Sequence, residues 1–161
     1  YCGAVYMRTT SPNVEINSNL LVAKTKVAPL KKIPIPKLEL CGAVLLTTLI
    51  TNLIVNLQFE YDLFMWTDSS IVLGWLQKSP DSLKTFVSNR VKGVLQTTKQ
   101  EHWKHVKTDE NPADLGSRGC YPQELIDSSL WWHGPPWLKQ PTECWPEPRT
   151  FDPTNLETRK S

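Results

Sequence analysis

The chain has 161 residues, of which 40% are hydrophobic and 21% are charged, and its formal net charge is +2 at pH 7. This length suits one domain with a genuine core, and the composition is ordinary for a soluble globular protein. So small a net charge does not by itself indicate a nucleic-acid binder, and the four cysteines lack the CxxC spacing that would indicate a zinc knuckle.

Two strands are predicted at the start of the chain. Residues 1–8 are rich in strand-forming residues and precede a turn-like Thr-Thr-Ser-Pro-Asn sequence. Residues 19–28 end in partial alternation, which predicts the second arm of an antiparallel pair. The chain begins at Tyr1 without a Met or a signal peptide, which suggests a fragment of a longer protein.

A helix is predicted over residues 36–56, because a proline fits the first helical turn. Glu39 is the only charged residue between Lys37 and Glu60, and the helix is apolar nearly all round. Burial of such a carboxylate is costly unless a cation or a metal compensates its charge, so Glu39 is a candidate metal ligand. The alternative is an acid in the first turn that complements the helix dipole. Threonines and asparagines within residues 40–59 make this run too polar for a predicted membrane span.

A buried strand is predicted over residues 63–67, because its apolar residues are continuous and polar turn residues follow them. This strand leads directly to Asp68, and ligand-binding groups in α/β proteins collect just past such strand ends. The alternative is that Thr67, Asp68 or Ser69 only caps a short helix predicted over residues 71–77.

A second helix is predicted over residues 82–96 from an apolar stripe at helical spacing. Between residues 78 and 107 there are seven Lys or Arg against two acids, which makes a local basic field compatible with a polyanionic ligand. An ordinary solvated face is the alternative. The predicted phosphate contacts on this helix are Lys84, Arg90 and Lys92.

A further strand is predicted over residues 101–107 from its alternation. It is followed by a helix start with Asn111 as cap, Pro112 at the first position and Asp114 at the third. The functional interpretation is that this helix start places Asp114 over the same sheet edge as Asp68. The alternative is a capping box, in which the acid bonds back to the Asn111 amide.

The character of the chain changes after residue 119. Residues 120–146 hold four of the seven tryptophans among prolines, which predicts an irregular arm that docks through its aromatic rings. Residues 147–161 are mostly polar, which predicts a disordered tail.

Six strings in the same order resemble the RNase H region of Pao/BEL-type LTR retrotransposon polyproteins. The resemblance covers the chain from Tyr1 to about Trp145, and the order of the strings makes it specific. The strings occupy residues 27–31, 35–40, 66–69, 84–91, 111–119 and 131–135.

The resemblance implies an α/β fold, a ribonuclease H-like mixed sheet flanked by helices. The family's first, central strand precedes the residues that match Tyr1 onward, so it is expected to be missing here. The strands over residues 1–8 and 63–67 would then face a gap or pair with another segment, and the isolated chain would be prone to aggregate. The implied organisation is an RNase H-like domain over 1–119, a Trp/Pro-rich arm over 120–146 and a tail over 147–161.

The activity implied by the resemblance is endonucleolytic cleavage of the RNA strand of an RNA/DNA hybrid with two Mg²⁺ ions, or Mn²⁺ in their place. Glu39, Asp68 and Asp114 match three of the family's four catalytic acids and would also be the metal ligands. Ser69 and Asn111 would join the basic helix in contacting nucleic acid. The family's first catalytic Asp lies upstream of the matched residues, so this fragment is expected to be inactive alone.

The implied partners are nucleic acid and the neighbouring reverse transcriptase and integrase regions of the same polyprotein, with no membrane. The implied location is intracellular, in a cytoplasmic retroelement particle or in the nucleus. One alternative is a non-catalytic nucleic-acid-binding or scaffolding segment of a retrotransposon Pol polyprotein. An integrase or transposase core is less favoured, because the late acid is Asp114 beside Pro112 and not a Glu on a long helix.

Overall fold

The structure is a computed structural model that describes residues 1–147 and 157–158. These residues combine strands and helices, so the predicted α/β class is confirmed. The strands are β1 (Cys2–Thr10), β2 (Ile16–Thr25), β3 (Met65–Thr67) and β4 (Trp103–His105). The helices are α1 (Ile35–Ile54), α2 (Ser70–Gln77), α3 (Thr85–Thr97), α4 (Pro112–Arg118), α5 (Pro122–Asp127) and α6 (Ser129–His133).

β1 and β2 form the predicted antiparallel pair. The register runs from Cys2 opposite Thr25 to Thr10 opposite Ile16, with one irregularity after Val5. Strand-forming residues favour extended backbone at these positions, and the turn between them supplies the polar residues that a hairpin connection needs. Both strands extend beyond the predicted bounds at the turn end, because the ladder continues up to the turn.

β3 and β4 form a parallel pair, with Met65 opposite Trp103 and Thr67 opposite His105. The chain between them passes through α2 and α3, since parallel strands need a long crossover connection. In the described part of the chain the two pairs form separate sheets, and β1 and β3 do not pair with each other, as the gap expected between residues 1–8 and 63–67 requires. The physical reason is that no strand there hydrogen-bonds to both β1 and β3.

α1 is the central helix and supplies much of the core. Leu40, Ala43 and Ile50 are buried and join a cluster that also includes residues of α2, α3 and β3. By length and composition α1 is also apolar enough to cross a membrane, which differs from the prediction for this segment. The Thr47 and Thr51 hydroxyls donate to carbonyls one turn earlier, so these polar groups are satisfied within the helix.

The arm over residues 120–146 contacts the rest of the chain through aromatic rings. The ring centroids of Trp137 and Trp145 lie 4.7 Å and 5.8 Å from that of Trp66. With Val106 these rings form a second, smaller apolar cluster. The Nε1 of Trp137 is buried and has no hydrogen-bond partner among the described residues.

Two side chains of β1 bind the same arm. Arg8 donates from its guanidinium to the carbonyls of Leu138 at 2.8 Å and of Gln140 at 2.9 Å. The Tyr6 hydroxyl donates to the carbonyl of Trp131 at 2.7 Å. Burial raises the pKa of the Tyr6 phenol well above its usual range, because the charged form would lose its hydration.

The predicted disordered tail, residues 147–161, lies mostly outside the described residues. Three of its residues are described, and two of them, Glu157 and Thr158, lie beside the start of α3. Thr158 forms an antiparallel bridge with Leu83, and the carbonyl of Glu157 accepts from the Lys84 amide at 2.8 Å. Tail residues therefore cover the buried Leu83.

Candidate functional site

A cavity of about 1070 Å³ lies between β1 and β3, with α1 along it. We call this cavity the central cleft. All three acids that the sequence singled out line it: Glu39, Asp68 and Asp114. They come from α1, from the end of β3 and from α4, so the fold brings residues that are distant in sequence around one cavity.

Asp68 lies between β3 and α2 and does not cap the helix. Ser69 is the cap, because its Oγ accepts from the Val72 amide at 3.2 Å, and Thr67 Oγ1 accepts from the Ser69 amide at 3.2 Å. Ser69 is 5% exposed, which leaves little surface for its predicted nucleic-acid contact. Within the described residues, the half-buried Asp68 carboxylate has neither a hydrogen bond nor an ion pair, so it is available to a ligand.

Glu39 is the fifth residue of α1, which begins at Ile35. The first turn of α1 contains no acid. The interaction of a carboxylate with the helix dipole falls off within the first turn, so Glu39 lies too far along α1 for the alternative of a dipole partner to be favoured. The nearby Lys37 does not pair with Glu39; it pairs with Glu157, at 3.2 Å between Nζ and Oε1. The half-buried Glu39 carboxylate forms no ion pair or hydrogen bond in the part of the chain that the structure describes.

Asp114 differs from the other two acids because it is paired. Its Oδ1 lies 3.0 Å from the Nε of Arg118, four residues later on α4. The alternative of a capping box is not formed; Asn111 caps α4 alone, through its Oδ1, which accepts from the Ala113 amide at 3.1 Å. The side-chain oxygen of Asn111, a predicted nucleic-acid contact, is therefore used in the helix cap.

The Asp114–Arg118 ion pair is expected to contribute little to stability. The Arg118 side chain is 71% exposed, and exposed pairs are typically worth about 0–1 kcal/mol because water screens them. Arg118→Ala should therefore lower the free energy of unfolding by less than about 1 kcal/mol in urea denaturation. Lys139→Ala, which also removes one exposed cation, is the control, and a much larger loss for Arg118→Ala would contradict the expectation.

The three acids line one cleft without forming a ligand cluster. No group of three or more His, Cys, Asp or Glu within residues 1–147 and 157–158 is placed to hold a metal ion. Carboxylate oxygens are the ligands that Mg²⁺ prefers, at about 2.0–2.1 Å. The donor chemistry therefore fits magnesium, but the arrangement does not make a complete site. The role of the three carboxylates as ligands of two shared Mg²⁺ ions stays a prediction.

Three further acids of the central cleft were missed by the sequence reasoning: Glu60, Asp62 and Glu110. Glu110 ends a short 3-10 turn directly before the Asn111 cap, and this closeness to Asp114 was the signal available in the sequence. Arg8 is the only basic residue that lines the cleft in the described part of the chain. The cleft is consequently acidic.

The basic residues predicted to contact phosphates lie on or beside α3, outside the central cleft: Lys84, Arg90 and Lys92. Each has a partner within the chain. The Nζ of Lys92 lies 2.7 Å from Asp81, and that of Lys84 lies 3.9 Å from Glu157. The Arg90 guanidinium lies 3.5 Å from the ring centroid of Phe86. A nucleic acid would have to compete with these contacts.

Comparison with protein families gives a match over the first part of the chain. Residues 1–69 match the family model of the Pao retrotransposon-like RNaseH-like domain. The match confirms the resemblance predicted from the sequence strings, and it includes Glu39 and Asp68 but not Asp114. No curated protein and no solved structure gives a significant match to this chain.

Proposed function

Because residues 1–69 match the RNase H-like domain of Pao-type retrotransposons, we propose that the chain is part of an RNase H-type endonuclease within a Pol polyprotein. Its proposed substrate is the RNA strand of an RNA/DNA hybrid. The observation that supports this proposal most directly is that Glu39 and Asp68, both inside the matched residues, line the same cleft as Asp114.

The proposed cofactor is Mg²⁺, with Mn²⁺ as the alternative. Two such ions, when bound, activate a water molecule and neutralise the leaving oxygen. Glu39, Asp68 and Asp114 would hold them, the first two with carboxylates that have no partner in the described residues. Asp114 would exchange Arg118 for the metal, which costs little because the pair is exposed. Since the three acids form no cluster by themselves, we propose that activity requires a further carboxylate.

The proposed partners follow from the same assignment. An RNase H-type domain of a Pol polyprotein works beside the reverse transcriptase and integrase regions of that polyprotein, so we propose both as neighbours. The proposed location is the cytoplasmic retroelement particle, or the nucleus. A membrane role is not part of the proposal, since Glu39 and the core packing of α1 suit a helix inside a folded domain.

The second candidate is a non-catalytic nucleic-acid-binding or scaffolding segment of the polyprotein. The observation that favours it is the lack of a ligand cluster within residues 1–147 and 157–158. Only the first candidate predicts that the acids of the central cleft take part in cleavage of RNA. Both candidates predict that basic residues bind nucleic acid.

Binding of an RNA/DNA hybrid tests the assignment shared by both candidates. Fluorescence anisotropy with a labelled hybrid should show an affinity that falls with salt, by about 0.9 log unit per phosphate neutralised for each log unit of salt. Combined replacement of Lys84, Arg90 and Lys92 by Ala should weaken binding and lower that slope, because the replaced cations no longer release counterions.

The control for this experiment removes three exposed cations outside residues 78–107: Lys26, Lys32 and Lys139, each replaced by Ala. The control variant loses the same positive charge as the α3 variant. A difference between the two variants therefore shows binding of phosphates at α3 and not a general effect of net charge. Equal effects of the two triple variants would contradict the role of α3. A preference for the hybrid over a DNA duplex of the same sequence would favour the nuclease over a general nucleic-acid-binding segment.

A further inference from the structure

A group of cations lies near the start of α3. The cationic groups of Lys37, from α1, and of Arg90 lie 5.4 Å and 3.5 Å from the centroid of the Phe86 ring. Lys84 directly precedes α3, whose first turn contains no acid and whose cap makes no side-chain hydrogen bond. The positive end of the helix dipole adds to these charges, so the place favours an anion. We call Lys37, Lys84 and Arg90 the basic cluster.

One carboxylate lies in the basic cluster, that of Glu157. Its Oε1 lies 3.2 Å from the Nζ of Lys37, and its Oε2 lies 3.9 Å from the Nζ of Lys84. The Glu157 carbonyl also accepts from the Lys84 amide at 2.8 Å. The side chains of Lys37 and Glu157 are only 20% and 23% exposed, so water screens this pair less than it screens a surface pair. Glu157 therefore holds the place where an external anion would bind.

Two features favour replacement of Glu157 by a more strongly charged ligand. Its φ is +64°, in the left-handed region that residues other than glycine rarely adopt. Such a conformation persists only where the surrounding structure holds it. One carboxylate also leaves two of the three positive charges of the cluster without an opposite charge, since no other acid pairs with the cluster in the described part of the chain.

We propose that the basic cluster is a binding site for a backbone phosphate of nucleic acid, and that Glu157 occupies this site until the nucleic acid displaces it. The proposal rests on the proposed function, and it adds Lys37 to the surface that contacts an RNA/DNA hybrid. A nucleic-acid backbone brings several phosphates and can neutralise the whole cluster, whereas Glu157 neutralises one charge. The site lies outside the central cleft, so it leaves the carboxylates there to the proposed metal ions.

Removal of the Glu157 charge should strengthen hybrid binding. In fluorescence anisotropy, Glu157→Gln should bind a labelled hybrid about fivefold more tightly than the unaltered chain, because the phosphate no longer has to displace a carboxylate. Glu15→Gln is the matched control, since it makes the same chemical change at an exposed acid between β1 and β2. This control should change the affinity by less than about twofold. Equal affinities of the two variants would overturn the proposal.

A double-mutant cycle tests whether the phosphate and Glu157 share Lys37. In the unaltered chain Lys37→Ala should change the affinity by less than about twofold, because binding there exchanges one anionic partner of Lys37 for another. In the Glu157→Gln chain the same change should weaken binding about fivefold, because Lys37 is then free to pair with phosphate. Lys139→Ala, which removes an exposed cation of the arm, should have equal effects in both chains. Additive effects of Lys37→Ala and Glu157→Gln would overturn the shared site.

Displacement of Glu157 can be observed at the next residue. Thr158 forms an antiparallel bridge with Leu83. In Thr158→Cys, saturating hybrid should speed labelling of the introduced thiol at least about threefold, because release of Glu157 opens this bridge. The exposed thiol of Cys144 is the internal control, and its labelling should not become faster. An unchanged or slower rate at position 158 would show that the hybrid leaves Glu157 in place, and it would overturn the proposal.

Inorganic tripolyphosphate separates the failure of this proposal from the failure of the proposed function. It offers phosphates without sugar or base, so it should also speed the labelling of Thr158→Cys. If it does so while no variant binds the hybrid, the proposed function is contradicted and the phosphate site stands. If the hybrid binds while Glu157→Gln and Thr158→Cys show no effect, the phosphate site is contradicted and the proposed function stands. Circular dichroism of each variant checks that it folds.

Discussion

Residues 1–161 alone should cleave an RNA/DNA hybrid at least about 10²–10³-fold more slowly than a chain extended upstream by a strand that carries an Asp, since loss of one preorganised electrostatic group typically has this effect. The reason is that Glu39, Asp68 and Asp114 line the central cleft without forming a ligand cluster in the described residues. The measurement is the rate of release of a labelled RNA fragment at saturating Mg²⁺.

The control for cleavage is the same extension with Asn in place of its Asp, which should remain slow. In the extended chain Asp68→Asn should abolish cleavage, because its carboxylate is the free acid at the end of β3. Asp109→Asn should not, since Asp109 is exposed and lies outside the central cleft. Rapid cleavage by residues 1–161 that Asp68→Asn removes would contradict the need for a further acid.

Leu40→Ala should lower the free energy of unfolding by about 2–5 kcal/mol, because it removes buried methyl groups and leaves a cavity. Leu40 is 0% exposed and belongs to the main apolar cluster. A small domain has a total stability of about 5–15 kcal/mol, so this change removes a large fraction of it. Chemical denaturation followed by circular dichroism measures the loss.

The matched control is Leu30→Ala, the same chemical change at a leucine that is fully exposed, at 106% of the reference area. It should change the free energy of unfolding by less than about 0.5 kcal/mol. A Leu40→Ala variant as stable as the Leu30→Ala variant would mean that α1 does not pack as the structure describes.

Several local features were predictable from sequence because they depend on neighbours in the chain. The continuous apolar run before Asp68 predicted β3, and proline at the start of α1 predicted where that helix begins. Asn111 followed by Pro112 predicted the start of α4. In each case a few adjacent residues determine the backbone, through burial, the fixed φ of proline or a side-chain cap.

The roles of the individual acids were only partly predictable. The sequence left helix capping open for Asp68 and a capping box open for Asp114. The structure shows Ser69 as the cap of α2 and Arg118 as the partner of Asp114. The cap and the ion pair both join residues that are close in sequence. Several neighbouring side chains could accept from the same donors, and only the backbone geometry decides which one does.

The sequence by itself determined the α/β class, the strand end at Asp68 and the central apolar helix, because periodicity and turn residues act over a few positions. A gap between β1 and β3 was expected from the resemblance, but only the tertiary structure decided that a cleft with α1 along it lies there. It also placed Glu110 and Arg8 in that cleft and docked Trp145 on Trp66. These features join residues far apart in the chain, and such contacts depend on how the elements pack and not on any local pattern.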